Sequence, residues 1–197
     1  RLSWVATQTL QYRHSFFNNN LNLDATAVYE YQETERDYIL AEGSNFPSDQ
    51  TKYISAAATS IGSTSWTGNR LESYLARVNL AWQSKYLLGA SIRADGSSKF
   101  PKDGRWGYFP SISGGWNIDE EAFMAGIKNV LSTAKIRFSY GRTGNQEGIG
   151  DFSYLRAFAS AATYPPGYNN QPGFLLSGLG SPNLTWEKTD QIDLGLD

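Results

Sequence analysis

The chain has 197 residues, 17 Lys and Arg against 19 Asp and Glu, a net charge of −2 and no cysteine. This excludes a disulfide framework and a Cys-based metal site, and it leaves no basic footprint for nucleic acid. Aromatic residues reach 14%, yet no run of about 18 apolar residues exists to form a transmembrane helix. The negative mean hydropathy does not exclude a membrane protein, because only alternate residues of a barrel strand face lipid.

The chain opens at Arg1 without a Met or an apolar leader and ends at Asp197 inside an apolar alternation. Both ends therefore read as cuts within a larger domain. From Trp4 to Arg13 the alternation is weak. It is clear from Leu21 onward: Leu21, Leu23, Ala25, Ala27, Tyr29 and Tyr31 alternate with Asn22, Asp24, Thr26, Val28 and Glu30. Period-two patterning of this kind predicts a half-buried strand. Tyr74, Ala76, Val78, Leu80 and Trp82 repeat it against Leu75, Arg77, Asn79 and Ala81. After Gln83-Ser84-Lys85 it resumes with Tyr86, Leu88, Ala90, Ile92 and Ala94, so the two segments predict a hairpin. Further strands are predicted over Tyr108–Ile118, Lys135–Arg142 and Gln191–Leu196.

The set amounts to about seven strands, most of them near the roughly 9–11 residues that a tilted strand needs to cross a bilayer. Their mid-strand charges, Asp24, Glu30, Arg77, Arg93 and Arg137, fall on one parity. Glu72 and Arg142 depart from it at strand ends. The predicted links span His14–Asn20, Gln32–Leu71, Gln83–Lys85, Gly96–Gly107, Asp119–Ala134 and Thr143–Leu184, and short ones alternate with long ones. Within Asp119–Ala134, Asp119 to Met124 predicts a brief helix with Asp119 as its N-cap. Tyr29, Tyr31, Tyr74 and Tyr108 cluster on the long-link side, and Trp82, Tyr86 and Trp116 on the short-turn side. Amphipathic rings settle at both headgroup levels, so the fold expected is an all-β, antiparallel transmembrane β-barrel segment with short periplasmic turns and long extracellular loops. The rival reading is a soluble, secreted, carbohydrate-binding β-sandwich, which also alternates.

No motif points to bond chemistry. His14 is the only histidine, no Gly-x-Ser-x-Gly elbow surrounds any serine, and no second His or Cys could complete a metal site. Thr143 to Asp151 is glycine-rich but lacks the Lys-Ser/Thr of a phosphate loop and the spacing of a Ca²⁺ loop. No cofactor is expected. Candidate contacts for a substrate or partner lie in the long links: Trp66, Arg105, Trp106, Tyr164, Tyr168 and Phe174. Such rings stack on sugars and peptides but also anchor loops. For Asp95–Trp106 the two readings are a loop packed on its barrel, and one that turns Arg105 and Trp106 toward a vestibule.

The strand segments also carry a family resemblance. Lys85 to Phe100 (KYLLGASIRADGSSKF) resembles a stretch of SusC/RagA-type TonB-dependent transporters. Arg105 to Ser111 with Gly115-Trp116, Glu120 to Met124, Ser139 to Gln146 and Asn183 to Thr189 are similar to that family's later blocks, in the same order. The likeness is strong over Tyr74–Asp197 and softer before it. It implies an outer-membrane barrel of about 22 strands with a plugged lumen, of which 1–197 would be one part, incomplete at both ends. It further implies import of a glycan or oligopeptide. Capture would fall to external loops, and plug rearrangement would be driven by the TonB–ExbB–ExbD complex through an upstream plug region. A SusD-like surface lipoprotein and outer-membrane lipid would be its partners.

Overall fold

The computed structural model describes residues 1–51, 53–126, 133–160 and 173–197. Seven strands form one antiparallel meander: β1 (Leu2–Phe16), β2 (Leu21–Ser44), β3 (Thr59–Trp82), β4 (Tyr86–Ser97), β5 (Trp106–Asn117), β6 (Lys135–Asn145) and, after a long excursion, β9 (Glu187–Leu196). Inside that excursion, β7 (Ala157–Ser160) and β8 (Phe174–Gly178) pair as a separate small hairpin.

Register converts the alternation into two continuous faces. Leu23, Leu80, Leu88, Gly114, Phe138 and Leu194 stand side by side across six strands, and Ala25, Val78, Ala90, Ile112, Tyr140 and Ile192 form the next row. The opposite face carries Asp24, Asn79, Gly89, Ser113, Ser139 and Asp193. A one-residue slip would exchange the faces, so the unbroken apolar rows fix the register. Ile92, Leu194 and Leu196 are exposed, and among the described residues no second sheet covers them. A sandwich must pack two inner faces together; this single sheet leaves its apolar face open, as a lipid-facing wall requires.

Charges on the polar face pair in-plane. Arg13 donates to Asp24 at 2.7 Å, Arg93 to Asp95 at 2.8 Å and Arg137 to Asp197 at 2.6 Å. The two off-parity charges reach partners at the ends of the apolar band: Tyr74 donates to Glu72, and Arg142 binds Asp190 through two nitrogens. Rings bound the band on both sides. Tyr29–Tyr74 and Trp4–Tyr31 stand 5.1 Å apart on one, while Phe17–Trp82 at 6.1 Å and stacked Tyr86–Trp116 at 6.4 Å stand on the other.

Several predicted boundaries move. The weak segment Trp4–Arg13 is the core of β1, and His14 lies in that strand and not in a turn, its ring 4.3 Å from Phe16. The turn is Phe17–Asn20, with Phe17, Asn18 and Asn19 all at positive φ, a conformation that Asn tolerates best. At the next short turn Gln83 and Ser84 are both left-handed, the geometry of a tight hairpin. The predicted Asp119–Met124 helix is instead two 3-10 turns, Ile118–Glu120 and Ala122–Met124. Asp119 is not an N-cap there; its carboxylate accepts from the Ala134 amide at 3.3 Å, closing the link across its base. Glu121 accepts from Tyr86 at 2.7 Å, Lys85 at 3.1 Å and Trp116 at 3.2 Å. These donors, Tyr86 first, hold its carboxyl below the ordinary value.

The largest correction concerns the predicted Gln32–Leu71 link. β2 and β3 each run for 24 residues and stay paired from Leu21–Trp82 to Ser44–Thr59. The connecting loop is only 45–58. Beyond Tyr31 the hairpin continues for about 40 Å of strand length at roughly 3.3 Å per residue.

Candidate functional site

The elements beyond the long-loop end of the band build two clusters. The first is a packed core. Phe100 is fully buried, 5.0 Å from the Trp186 ring, which meets Phe109 edge-on at 5.4 Å; Leu71, Ile149 and Leu184 close around them. Trp186 Nε1 donates to the Arg105 carbonyl at 2.8 Å. Gly144 lies against the Phe109 ring so closely that a Cβ there would collide with it. The loop 98–105 therefore packs on its own sheet, the first of its two readings, and holds one backbone position of Arg105 rigidly.

The second cluster is a recess of about 200 Å³ walled by Trp66, Arg70, Glu33, Arg105, Phe152 and Tyr154. Above Ser97, β3 has no β4 residue beside it, and its free edge is where the loop after β6 docks. Asp151 accepts from Asn69 Nδ2 at 2.9 Å and also from the Thr67 hydroxyl. The neighbouring Phe152 ring comes to 5.8 Å of Trp66. The Trp66 indole folds back over Gly68, where a Cβ would lie 3.0 Å from Trp66 Cζ2, so the glycine makes room for the ring. Arg70 Nε binds Glu33 at 2.6 Å. Arg105 Nε is buried and, among the described residues, has no hydrogen-bond partner. The recess thus offers aromatic planes and a fixed ion pair. Groups of this kind bind and orient a ligand; among the described residues no cluster of His, Asp and Glu could hold a metal.

Of the six predicted contacts, the structure brings two together, Trp66 and Arg105. Trp66 belongs to β3 and not to a loop. Trp106 opens β5, in register with Gly96, its ring 6.1 Å from Tyr74. It therefore shares the outer face with Tyr108 and joins the outer aromatic belt, whereas Arg105, which precedes the strand with helical dihedrals, lines the recess. Phe174 begins β8, is 80% exposed and touches neither cluster. Tyr164 and Tyr168 lie outside the described residues. Glu33, Arg70, Phe152 and Tyr154 had no sequence signal beyond residue type. Asp151 did stand at the end of the glycine-rich Thr143–Asp151 stretch, and its carboxylate serves as a tether for that loop.

On the other side of the sheet, the polar face forms a trough of about 1100 Å³ bordered by Arg13, Asp24, Asn79, Ser113, Arg137 and Asp193. Its groups largely satisfy one another, as in the Ser139 hydroxyl donating to Asp193 and Gln11 donating to Asp24.

The family model described as "TonB dependent receptor-like, beta-barrel" matches residues 2–197. Among similar proteins, TonB-dependent receptor P39 of Formosa agariphila is 45% identical over 136 residues, 68% of this chain and 12% of that protein. TonB-dependent receptor P26 of the same organism is 31% identical over 98% of this chain and 20% of its own length. TonB-dependent receptor SusC of Bacteroides thetaiotaomicron is 42% identical over 66% of this chain and 13% of its own. The solved RagAB peptide transporter superposes with a TM-score of 0.87 at 29% identity, covering 98% of this chain and 21% of that one. The chain therefore spans about a fifth or less of the proteins it matches.

Proposed function

Since the chain belongs to the TonB-dependent receptor-like β-barrel family of the bacterial outer membrane, we propose that it forms one part of a SusC-like barrel that imports a large nutrient. That family consists of transporters and receptors and not of enzymes. The observation that carries the reading is the single antiparallel sheet with one continuous apolar face, bounded by aromatic rows and joined by short turns on one side only. In lipid every backbone amide needs a partner, so such a sheet spans stably only when its two edge strands, β1 and β9, meet further strands and close. The polar trough then faces the lumen, and the long hairpin, the recess and the β7–β8 hairpin stand outside the cell.

In this reading the chain breaks no bonds. External elements capture the cargo, a SusD-like surface lipoprotein acts as a lid, and TonB with ExbB and ExbD drives release past a plug carried by the rest of the protein. Support for the two-part arrangement comes from the likeness to SusC and to the RagAB transporter. The cargo is a glycan or an oligopeptide, both too large for diffusion through a porin.

The test uses the intact gene in its host. Its deletion should abolish growth on one glycan or peptide source and spare growth on simple sugars and amino acids. A protonophore should stop uptake while surface binding persists. Affinity capture of the protein in detergent should bring down a surface lipoprotein. Unchanged growth on every polymeric source, or uptake that survives the protonophore, would reject the proposal.

A further inference from the structure

We infer that Glu121 folds the link between β5 and β6 onto the lipid side of the wall, where Phe123 enters the phospholipid leaflet facing the periplasm and anchors the barrel at that depth. The inference goes beyond the import reading and rests only on the lipid-facing wall. A link of this length could hang into the periplasm, turn in beneath the lumen or fold outward, and Glu121 decides between them. Its carboxylate accepts from the Tyr86 hydroxyl at 2.7 Å, the Lys85 ammonium at 3.1 Å and the Trp116 indole at 3.2 Å. Tyr86 and Trp116 pair in register and share the parity of Leu88 and Gly114 in the lipid-facing rows. The bonded carboxylate therefore lies on that face, at the inner aromatic row. The Glu121 side chain is only 15% exposed, and its three donors are what a carboxylate beside a lipid wall requires. The base of the link is closed as well. The Ile118 amide donates to the Ala134 carbonyl at 2.7 Å, and the Asn117 side chain donates to the Ser84 carbonyl at 2.6 Å.

The residues that follow Glu121 are apolar. From Ala122 to Ile127 the sequence carries no polar side chain. The 3-10 turn Ala122–Met124 buries Met124 and leaves Phe123 68% exposed. In water such a run is a liability, whereas at headgroup level a phenyl ring among small apolar residues is favoured. The first short turn repeats the arrangement. Phe17 is equally exposed, although its φ of 55° is one that a bulky side chain adopts only at a cost. Its ring stands 6.1 Å from Trp82, which pairs with Tyr86 in the same lipid-facing row. Phe17, Trp82, Tyr86, Trp116 and the link held by Glu121 thus follow one another along the inner rim. This chain of rings carries the lipid-facing rows past the strand ends, so its occupant is the leaflet already beside them and not a separate periplasmic protein.

The test is a depth measurement on the full-length protein, any other cysteine replaced by serine, in vesicles of phosphatidylethanolamine and phosphatidylglycerol. A nitroxide is attached at one position at a time: Phe123→Cys, with Ile112→Cys as the lipid marker and the exposed Asp103→Cys as the water marker. Collision with oxygen, which collects among acyl chains, is compared with collision with a nickel chelate, which stays in water. The label at 123 should favour oxygen and fall between the two markers. Glu121→Ala should shift it to the value at 103, and Glu121→Gln, which keeps one acceptor oxygen, should shift it less. Resistance to cold sodium dodecyl sulfate monitors folding, and should Glu121→Ala fail to fold, Glu121→Gln and the markers decide the matter. Three outcomes would overturn the inference: a label at 123 as wet as that at 103, a depth that no Glu121 substitution changes, or dipolar broadening between labels at 123, which would place a second copy of the chain there. Failure of the wall itself is read separately. If Ile112 also reads water, the lipid-facing assignment falls and the anchor with it; if Ile112 reads lipid and 123 reads water, the anchor alone falls and the import reading stands.

Discussion

An arginine placed on the apolar face should damage assembly far more than one placed on the next residue, and the structure sets the size of the difference. The row Val78, Ala90 and Ile112 lies midway between the aromatic rows, four residues from Tyr86 and four from Ala94 beside Tyr74. Ile92 is two residues nearer the outer belt, about 7 Å along the strand and about 5 Å in depth for a tilted strand. An Arg at the midplane of a lipid face costs roughly 2–4 kcal/mol and less toward the interface. Ala90→Arg should therefore fall in that range and Ile92→Arg near about 2 kcal/mol, close to thirtyfold in the folded ratio. Ser91 sits between them on the polar face, opposite Arg77 and bonded to the Ser111 hydroxyl at 2.7 Å. Ser91→Arg loses that bond and meets Arg77, a like-charge penalty of about 0.2–1 kcal/mol in a wet lumen. The order of outer-membrane yield should be Ser91→Arg, then Ile92→Arg, then Ala90→Arg, read as the fraction of full-length protein that stays folded in cold detergent. Equal yields at residues 91 and 92, or the reverse order, would show that the lipid and lumen faces have been exchanged.

Residues 1–197 expressed by themselves should aggregate or require detergent, since the apolar face and the β1 and β9 edges lack partners; a monodisperse monomer in plain buffer, seen by light scattering, would refute the wall assignment. Phe100→Ala empties the core beneath Trp186 at a cost of about 3–5 kcal/mol, so trypsin should cut at Lys99 and Lys102 in the variant and spare the wild type. Glu121 has its carboxyl held below its ordinary 4.5, so its stabilisation is present above about pH 4.5 and is lost as pH falls through the lower folded value. The Trp116 indole proton should then exchange faster on acidification, and Glu121→Gln should remove the dependence. Finally, a Gly/Ser linker of equal length in place of residues 161–173, which takes out Tyr164 and Tyr168 but leaves β7 and β8 to pair, should preserve outer-membrane level and reduce uptake; unchanged uptake would deny those residues a role.

The strands inside the band were legible because two solvents meet there. Lipid on one side and water on the other force Tyr74, Ala76, Val78, Leu80 and Trp82 apart from Arg77 and Asn79, and the sequence alternates in step. The off-parity charges Glu72 and Arg142 were expected at strand ends; both lie inside longer strands, β3 and β6, but at the outer edge of the apolar band, where Tyr74 and Asp190 hold them. The recess was not legible in the same way. Trp66 and Arg105 drew attention as residue types, but the wall that Phe152 and Tyr154 add beside them depends on Asp151 docking across more than eighty residues of chain. Trp106 was misplaced because it was judged by its loop and not by its parity with Tyr108, with which it shares the outer face.

The missed half of the β2–β3 hairpin has the same physical root. From Arg36 to Glu42 and from Thr59 to Trp66 both faces are exposed, so nothing selects for alternation although the backbone stays fully paired. Period-two patterning reports a difference between two environments; where both sides are water, a strand becomes silent in the sequence. Two-stranded ribbons are marginal when free in water. Here the lower half of the same two strands is already aligned within the sheet, so the loop-closure entropy has been met before the first projecting pair forms. Each further pair adds backbone hydrogen bonds to a register that cannot slip without moving Tyr29, Tyr74 and every apolar row below. Lipid thus fixes the position of residues that never touch it, and Trp66, eight residues above Tyr74 on the same parity, is held at a constant height above the outer aromatic row.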